Sequence, residues 1–195
     1  LEQALHLLDY ASYFDITTIP LPTNAEGIAH YFAEEGIIIK QDNGLFAITN
    51  LGAILFAKRL SDFSKAARKS VRVVQYSDSS RMEMLKDESF NIGYASGFES
   101  IIKYIEALIP AKELIEAAFR KKETAYPILA IRESIANALI HQDFSVTGAG
   151  PLVEIFKNRI EITNPGTPLV DIMRIVDTPP RSRNEKLAAL MRRLK

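Results

Sequence analysis

Three polar side chains recur at intervals of four residues within the segment 128–141: Glu133, Asn137 and His141. If this segment is a helix, the spacing places a carboxylate, an amide and an imidazole on one stripe of its surface. Such a stripe either lines a ligand cleft or meets water, with His141 then near the helix end, where a cation suits the helix dipole. The residue types alone leave both interpretations open.

His141 and Asp143 pair an imidazole with a carboxylate two residues apart. The pair suggests metal binding or acid–base chemistry, but two ligands make a poor metal site, so we favour tethering of the loop after the helix. The chain contains no cysteine, no Gly-x-x-x-x-Gly-Lys phosphate loop and no Gly-x-Ser-x-Gly elbow. These absences exclude cysteine enzymes, P-loop ATPases and serine hydrolases of the elbow type.

The polar stripe needs a helix to carry it, and the apolar residues of the same segment predict one. They fall within about 100° of arc on a helical wheel, which is the width of a core-facing face. This set is Ile128, Ile131, Ile135, Ala138 and Leu139. We therefore expect the helix to pack inward on this face and to present the polar stripe on the nearly opposite side.

Two alternating runs, 152–156 and 159–163, follow the helix and predict strands joined by a turn at Lys157 and Asn158. The second run leads directly into the segment 164–168, whose sequence Asn-Pro-Gly-Thr-Pro is typical of a rigid polar turn. The polar helix face and this glycine-bearing strand end are therefore separated by one predicted hairpin.

Four segments carry a family resemblance. Residues 131–144, IRESIANALIHQDF, resemble the REA..NA..HRDY signature of the transcriptional regulators related to RecG helicase, which are relatives of Schlafen proteins with a divergent ATPase domain. Residues 159–166, RIEITNPG, resemble the RIEI.NPG signature of the same family. Residues 48–56 resemble its LTNAG.LLF element, and residues 182–184 resemble its RN motif.

This resemblance implies a GHKL-type ATPase domain, similar to those of DNA gyrase B and sensor histidine kinases, that binds ATP with Mg²⁺. Glu133 is then the catalytic residue that positions or deprotonates the attacking water, and Asn137 supplies an oxygen to the metal. The strand-end turn is expected to face adenine. The residues implied in cofactor binding are Asn137, His141, Asp143, Asn164 and Gly166.

The chain departs from the GHKL pattern at the adenine side. Asn164 stands where an aspartate is usual, so a hydrogen bond from the adenine amine loses its charge assistance. Pro168 stands where the box has its second glycine, and the glycine-rich lid would follow beyond Lys195. We therefore expect a nucleotide-binding regulatory domain that binds ATP rather than hydrolysing it, and at most a weak GHKL-type ATPase. The alternative is a non-catalytic scaffold for dimerisation, partner binding or DNA contact with a dead nucleotide pocket.

The first 65 residues predict a winged-helix-like order of elements. A helix over 25–35 ends at Gly36, strands over 37–40 and 45–48 flank an Asn-Gly turn, and Thr49 or Asn50 caps a further helix. The first helix carries acidic residues, which repel phosphate, so structural packing is favoured over nucleic-acid contact.

Residues 71–76 predict a strand from their β-branched side chains. Residues 98–109 predict an amphipathic helix ended by Pro110, and the segment 113–123 is equally compatible with strand and helix. The expected fold is α+β, with a winged-helix-like region over 1–65. A GHKL-like α/β sandwich over 66–195 follows, with a mixed sheet, helices on one face and a truncated C-terminal end.

The composition of the chain restricts the classes of partner that it can bind. The 195 residues carry zero formal net charge, which argues against coating of nucleic acid by bulk electrostatics. Basic clusters at 58–72 and 174–195 are interpreted as solvated surface, with phosphate contact left open. We expect a cytoplasmic fragment of a longer protein with no membrane contact. DNA contact is left open, either through an N-terminal Schlafen-type domain of that protein or through the winged module, and homodimerisation is also left open.

Overall fold

A computed structural model gives the fold of the chain. For the paired strands at 111–116 and 119–124 only the backbone is described. The described residues are 1–109, 111–116, 119–171, 173, 177, 179 and 181–193.

The N-terminal part is mainly helical and contains one short hairpin. Its elements are α1 (Glu2–Leu7), α2 (Tyr10–Thr17), α3 (Ala25–Glu34), β1 (Ile38–Lys40), β2 (Phe46–Ile48), α4 (Asn50–Phe56) and a 3-10 turn (Leu60–Asp62). Asn24 and Thr49 cap α3 and α4, because each side chain accepts a hydrogen bond from a backbone amide of the first turn. Gly36 ends α3 with a positive φ of 69°, as expected of a residue after a helix. The predicted order of helix, hairpin and helix is therefore present.

The remaining elements form a mixed sheet with helices. They are β3 (Val71–Tyr76), β4 (Met84–Phe90), α5 (Tyr94–Leu108), β5 (Ala111–Glu116), β6 (Phe119–Thr124), α6 (Ile128–His141), β7 (Leu152–Ile155), β8 (Ile160–Thr163) and α7 (Glu185–Arg193). Four strands make one sheet in the order β4-β3-β7-β8, in which β3 and β7 are parallel and the other neighbours are antiparallel. The predicted α+β class with a mixed sheet is confirmed.

The hydrophobic core lies on the sheet face that α5 covers. Val73 and Val153 pair across β3 and β7, and both are at most 1% exposed. Gln75 lies on the same face as Val73 and donates a hydrogen bond from Nε2 to the backbone oxygen of Leu108, at the end of α5, over 3.2 Å. One cluster of buried residues also includes Phe32 of α3, so the core is continuous with the N-terminal helices.

Several expectations are sharpened or corrected by the structure. β4 was not anticipated, and residues 113–116 and 119–123 of the ambiguous segment lie in the antiparallel strands β5 and β6. Pro127 lies at the N-cap of α6. Pro110, proposed as the terminator of α5, lies outside the described residues, as do Leu194 and Lys195 after α7. The domain boundary near residue 65 stays a prediction.

Within the described part of the chain, no helix has the length and apolar character needed to span a lipid bilayer.

Candidate functional site

Helix α6 is oriented by its apolar face. Ile131, Ile135 and Leu139 are 5%, 1% and 0% exposed, and Ala138 is also buried. Burial of this stripe anchors the helix on the core, as the periodicity predicts. The polar stripe is consequently turned away from the core, and Asn137 is exposed.

A cleft of about 450 Å³ lies between α6 and β8. Small-molecule sites usually measure between about 300 and 1,000 Å³, so the cleft has the size of a ligand site. Its lining residues are Ser134, Asn137, Ala138, His141, Ile160, Ile162 and Asn164. The structure thus brings together Asn137, His141 and Asn164, three of the residues that the sequence proposes for cofactor binding.

The walls of the cleft combine an apolar surface with two amides. Ile160 and Ile162 are two residues apart on β8, so they point to the same side of the strand, and both are half-buried. Asn137 and Asn164 each offer a carbonyl acceptor and an NH₂ donor. This combination suits a flat, mostly apolar group that carries donors and acceptors at its edge.

Glu133 lies one turn before Asn137 on α6 and is exposed. It does not line the cleft as the structure describes it. Its proposed catalytic role stays a prediction.

Asp143 lies just beyond α6 and is held by contacts of its own. Its Oδ1 accepts hydrogen bonds from the amide of Ser145 at 2.9 Å and from its Oγ at 2.6 Å, and its Oδ2 accepts one from Arg183. The two Ser145 hydrogen bonds, together with the charges of Arg183 and Lys69, hold the pKa of Asp143 below its usual value. These contacts agree with the tethering role that the sequence favours, and Asp143 does not line the cleft.

The strand-end turn closes directly onto Asp143. The amide of Asp143 donates a hydrogen bond to the backbone oxygen of Pro165 over 2.7 Å. Gly166 has a φ of 118°, and a Cβ atom there would lie 2.7 Å from the Cβ of Asp143. Only glycine therefore fits at this position, both in conformation and in space. Gly166 shapes the turn next to Asn164 but does not itself line the cleft.

Arg183 and Asn184 attach the start of α7 to this same region. Arg183 donates from Nη2 to the backbone oxygen of Thr167 over 2.7 Å. Asn184 Nδ2 donates to the backbone oxygens of Ile140 and Gln142, both at 2.8 Å. Carbonyl groups at the end of a helix lack intrahelical partners, so Asn184 satisfies acceptors that α6 leaves open. Three of the four segments that resemble the family signatures, 131–144, 159–166 and 182–184, therefore meet at the C-terminal end of α6.

Lys69 is a structural residue that sequence reasoning missed. It is only 2% exposed, and its Nζ donates to the backbone oxygens of Val146 at 2.7 Å and Ala149 at 3.2 Å. Burial lowers the pKa of Lys69, while the charge of Asp143 acts in the opposite direction. The interpretation of residues 58–72 as solvated surface is therefore wrong for Lys69, because this ammonium group holds the loop after α6.

Gln142 completes the attachment of that loop to the core. It is fully buried, and its Nε2 donates to Tyr94 Oη and to the backbone oxygen of Leu139, both at 2.9 Å. Tyr94 Oη in turn donates to the backbone oxygen of Lys69 over 2.7 Å. Burial raises the pKa of Tyr94, so the phenol remains a donor. A buried chain of hydrogen bonds thus links the end of α6 with the residue that holds its loop.

Comparison with known structures supports the fold. The crystal structure of the DIP2311 protein from Corynebacterium diphtheriae matches with a TM-score of 0.70 and 18% sequence identity. The match covers 97% of this chain and 37% of that protein, so the chain spans well under half the length of this neighbour. At this identity the likeness concerns the fold alone. No curated protein matches the sequence.

Comparison with protein families gives a match for the C-terminal part of the chain. Residues 148–195 match the family described as "Putative ATP-dependent DNA helicase recG C-terminal". The matched part contains β7, β8 and α7, and it includes Asn164 of the cleft and the pair Arg183 and Asn184. This part of the chain is similar to a RecG-related ATPase-like domain.

Proposed function

We propose that the chain is a nucleotide-binding regulatory domain that holds Mg²⁺-ATP in the cleft between α6 and β8. The observation that carries this proposal is the joint placement of Asn137, His141 and Asn164 around one cleft of ligand size. The match of residues 148–195 to an ATPase-like family supports the choice of nucleotide.

The adenine ring lies against Ile160, Ile162 and Ala138, whose side chains supply an apolar surface. The side-chain oxygen of Asn164 accepts a hydrogen bond from the exocyclic amine of adenine. A neutral amide, that of Asn164, thereby recognises the edge of the adenine ring.

Asn137 fits a magnesium ion because its amide oxygen is a hard ligand on the wall of the cleft. Mg²⁺ usually takes only one or two protein ligands and completes its shell with water and phosphate oxygens. Among the described residues, no three His, Asp or Glu side chains form a metal cluster, so Asn137 acts together with the nucleotide. When bound, the ion neutralises charge on the phosphates.

Binding is favoured over turnover by the position of the proposed catalytic group. Hydrolysis requires a base or a water-positioning residue next to the terminal phosphate. Glu133 does not line the cleft. We therefore assign the site to sensing of nucleotide, in a regulator whose DNA contacts lie in other parts of a longer protein. The exposed acids Glu26 and Glu34 on α3 argue against a DNA-facing role for that helix.

Thermal unfolding tests the proposal. A non-hydrolysable ATP analogue with Mg²⁺ should raise the melting temperature, because a ligand bound only by the folded state stabilises it. Asn137→Ala should abolish the shift. Asn158→Ala, in the exposed turn between β7 and β8, should keep it.

Absence of any shift in a longer chain that continues past Lys195 would reject nucleotide binding. That result would leave the scaffold role as the function of the domain. A shift that persists in Asn137→Ala would reject the assignment of the magnesium ligand.

A further inference from the structure

A second and larger cavity has a volume of about 740 Å³. It is enclosed by α4, the segment 63–69, the loop 144–148 and the start of α7, and it shares no lining residue with the cleft between α6 and β8. Neither the resemblance nor the nucleotide proposal assigns it a role. Its volume lies within the range of small-molecule sites.

The inner walls of this cavity are apolar. Leu51 and Ile54 of α4 line it together with Phe63 and Phe144, and Leu187 of α7 adds a buried aliphatic side chain. Two phenyl rings and three aliphatic side chains favour a ligand with an apolar body, because burial of apolar surface drives its transfer from water.

Cations surround this apolar surface. Lys65, Arg68 and Lys186 line the cavity and are exposed, and none of them has an ion-pair partner within the described ranges. Glu185 is the acidic member of the lining among the described residues. Three uncommitted cations against one carboxylate create a positive potential at the cavity.

Two other cationic side chains of the lining, Lys69 and Arg183, already contact other parts of the chain. Lys69 donates to backbone oxygens of the loop after α6, and Arg183 pairs with Asp143. They rigidify one wall and leave ligand recognition to Lys65, Arg68 and Lys186.

We propose that this cavity binds a small organic anion, with an apolar body against the phenylalanine rings and a phosphate or carboxylate head between the exposed cations. Arg68 is suited to such a head group because its planar guanidinium can donate two parallel hydrogen bonds to one anion. The ligand would contact the loop 144–148 directly. Its binding would therefore stabilise the segment that Lys69 holds.

The fluorescent probe anilinonaphthalene sulfonate tests the site, since it combines an aromatic body with one anionic head. We expect saturable binding to one site per chain. The double variant Arg68→Glu/Lys186→Glu should weaken binding roughly tenfold, because two attractive contacts become repulsive. Lys40→Glu, a matched reversal at an exposed lysine outside the cavity, should leave the affinity unchanged.

A second variant tests the apolar part of the cavity. Leu51→Trp adds bulk to a half-buried side chain of the lining and should weaken probe binding without any change of charge. The melting temperature of each variant, measured in parallel, shows that the chain is folded. Phenyl phosphate and benzoate compete with the probe, and the stronger competitor identifies the head group.

Because the two sites share no lining residue, a nucleotide bound in the cleft between α6 and β8 does not occupy the probe's cavity. Failure of nucleotide binding would therefore leave this proposal standing. Absent or non-saturable probe binding, or an affinity that the double reversal leaves unchanged, would overturn it. So would the failure of both phenyl phosphate and benzoate to compete.

Discussion

Arg183 forms an ion pair with Asp143, although the two residues lie 40 positions apart in the chain. The same guanidinium donates a hydrogen bond to the backbone oxygen of Thr167, in the turn that follows β8. One side chain therefore connects the end of α6, the strand-end turn and the approach to α7. The position of Asn164 relative to α6 depends on this connection.

Removal of either partner should lower the stability of the fold. Arg183→Gln and Asp143→Asn should each reduce the melting temperature by roughly 2 to 6 °C. The double variant should lose less than the sum of the two, because the residues share one interaction. Thermal unfolding of the wild type, the two single variants and the double variant measures this coupling. Strictly additive losses of melting temperature would show that the interaction between Arg183 and Asp143 does not stabilise the fold.

Lys69 should behave differently from the other lysines of its cluster. Lys69→Met keeps an apolar stem but removes the ammonium group, which should lower the free energy of unfolding by about 1 to 3 kcal/mol because the backbone carbonyls of the loop lose a charged donor. Hydrogen exchange at the amides of residues 145–149 should accelerate. Lys58→Met, at an exposed lysine nearby, should change the free energy of unfolding by less than about 0.5 kcal/mol. Equal effects in urea unfolding would contradict the role given to Lys69.

The sequence was sufficient to predict those elements that depend only on their own residues. The apolar stripe of α6 predicted both the helix and the face that it buries against the core, and two residues of the opposite stripe, Asn137 and His141, line the cleft. Gly36 and Thr49 marked the end of α3 and the start of α4, because a positive φ and an N-cap are properties of single residues.

Features that depend on distant partners could not be predicted. All but the last residue of the edge strand β4 are exposed, so no face of this strand has to be apolar. Its sequence therefore lacks the apolar alternation that predicts a strand, and the strand forms through its pairing with β3. Lys69 resembles its exposed neighbours in sequence, and its burial follows from carbonyl groups that are up to 80 residues away. The larger cavity is likewise formed by segments from both halves of the chain.

Two glycines with positive φ should respond unequally to alanine. The Cβ atom that Gly148→Ala adds has no other atom within 4 Å. This substitution should therefore lower the free energy of unfolding only through the strain of a φ of 78°, by on the order of 1 to 2 kcal/mol. Gly166→Ala adds a clash with Asp143 to the strain and should cost clearly more. Urea unfolding of both variants compares the two costs. A smaller loss at Gly166 than at Gly148 would show that the turn can shift away from Asp143.

Tyr13 should make the fold sensitive to alkali. Burial, with a smaller contribution from the charge of Glu35, raises the pKa of Tyr13 from 10.0 to about 12. Between these values the folded state keeps a proton that the unfolded state has lost. The stabilisation is therefore complete below pH 10 and is lost as pH rises towards about 12. Urea unfolding against pH should show this fall, and Tyr13→Phe should reduce it. Parallel curves for the two proteins would contradict the assignment.

Asn164→Asp should strengthen the proposed recognition of adenine. A carboxylate accepts a charge-assisted hydrogen bond, and such a bond is roughly twice as strong as its neutral counterpart. A gain of about 1 kcal/mol corresponds to about fivefold tighter binding of an adenine nucleotide with Mg²⁺. Isothermal titration calorimetry should show this gain for adenine but not for guanine nucleotides, because guanine lacks the exocyclic amine at the matching position. Asn164→Ala should weaken adenine binding. Equal affinities in the Asn, Asp and Ala proteins would place the adenine ring away from the end of β8.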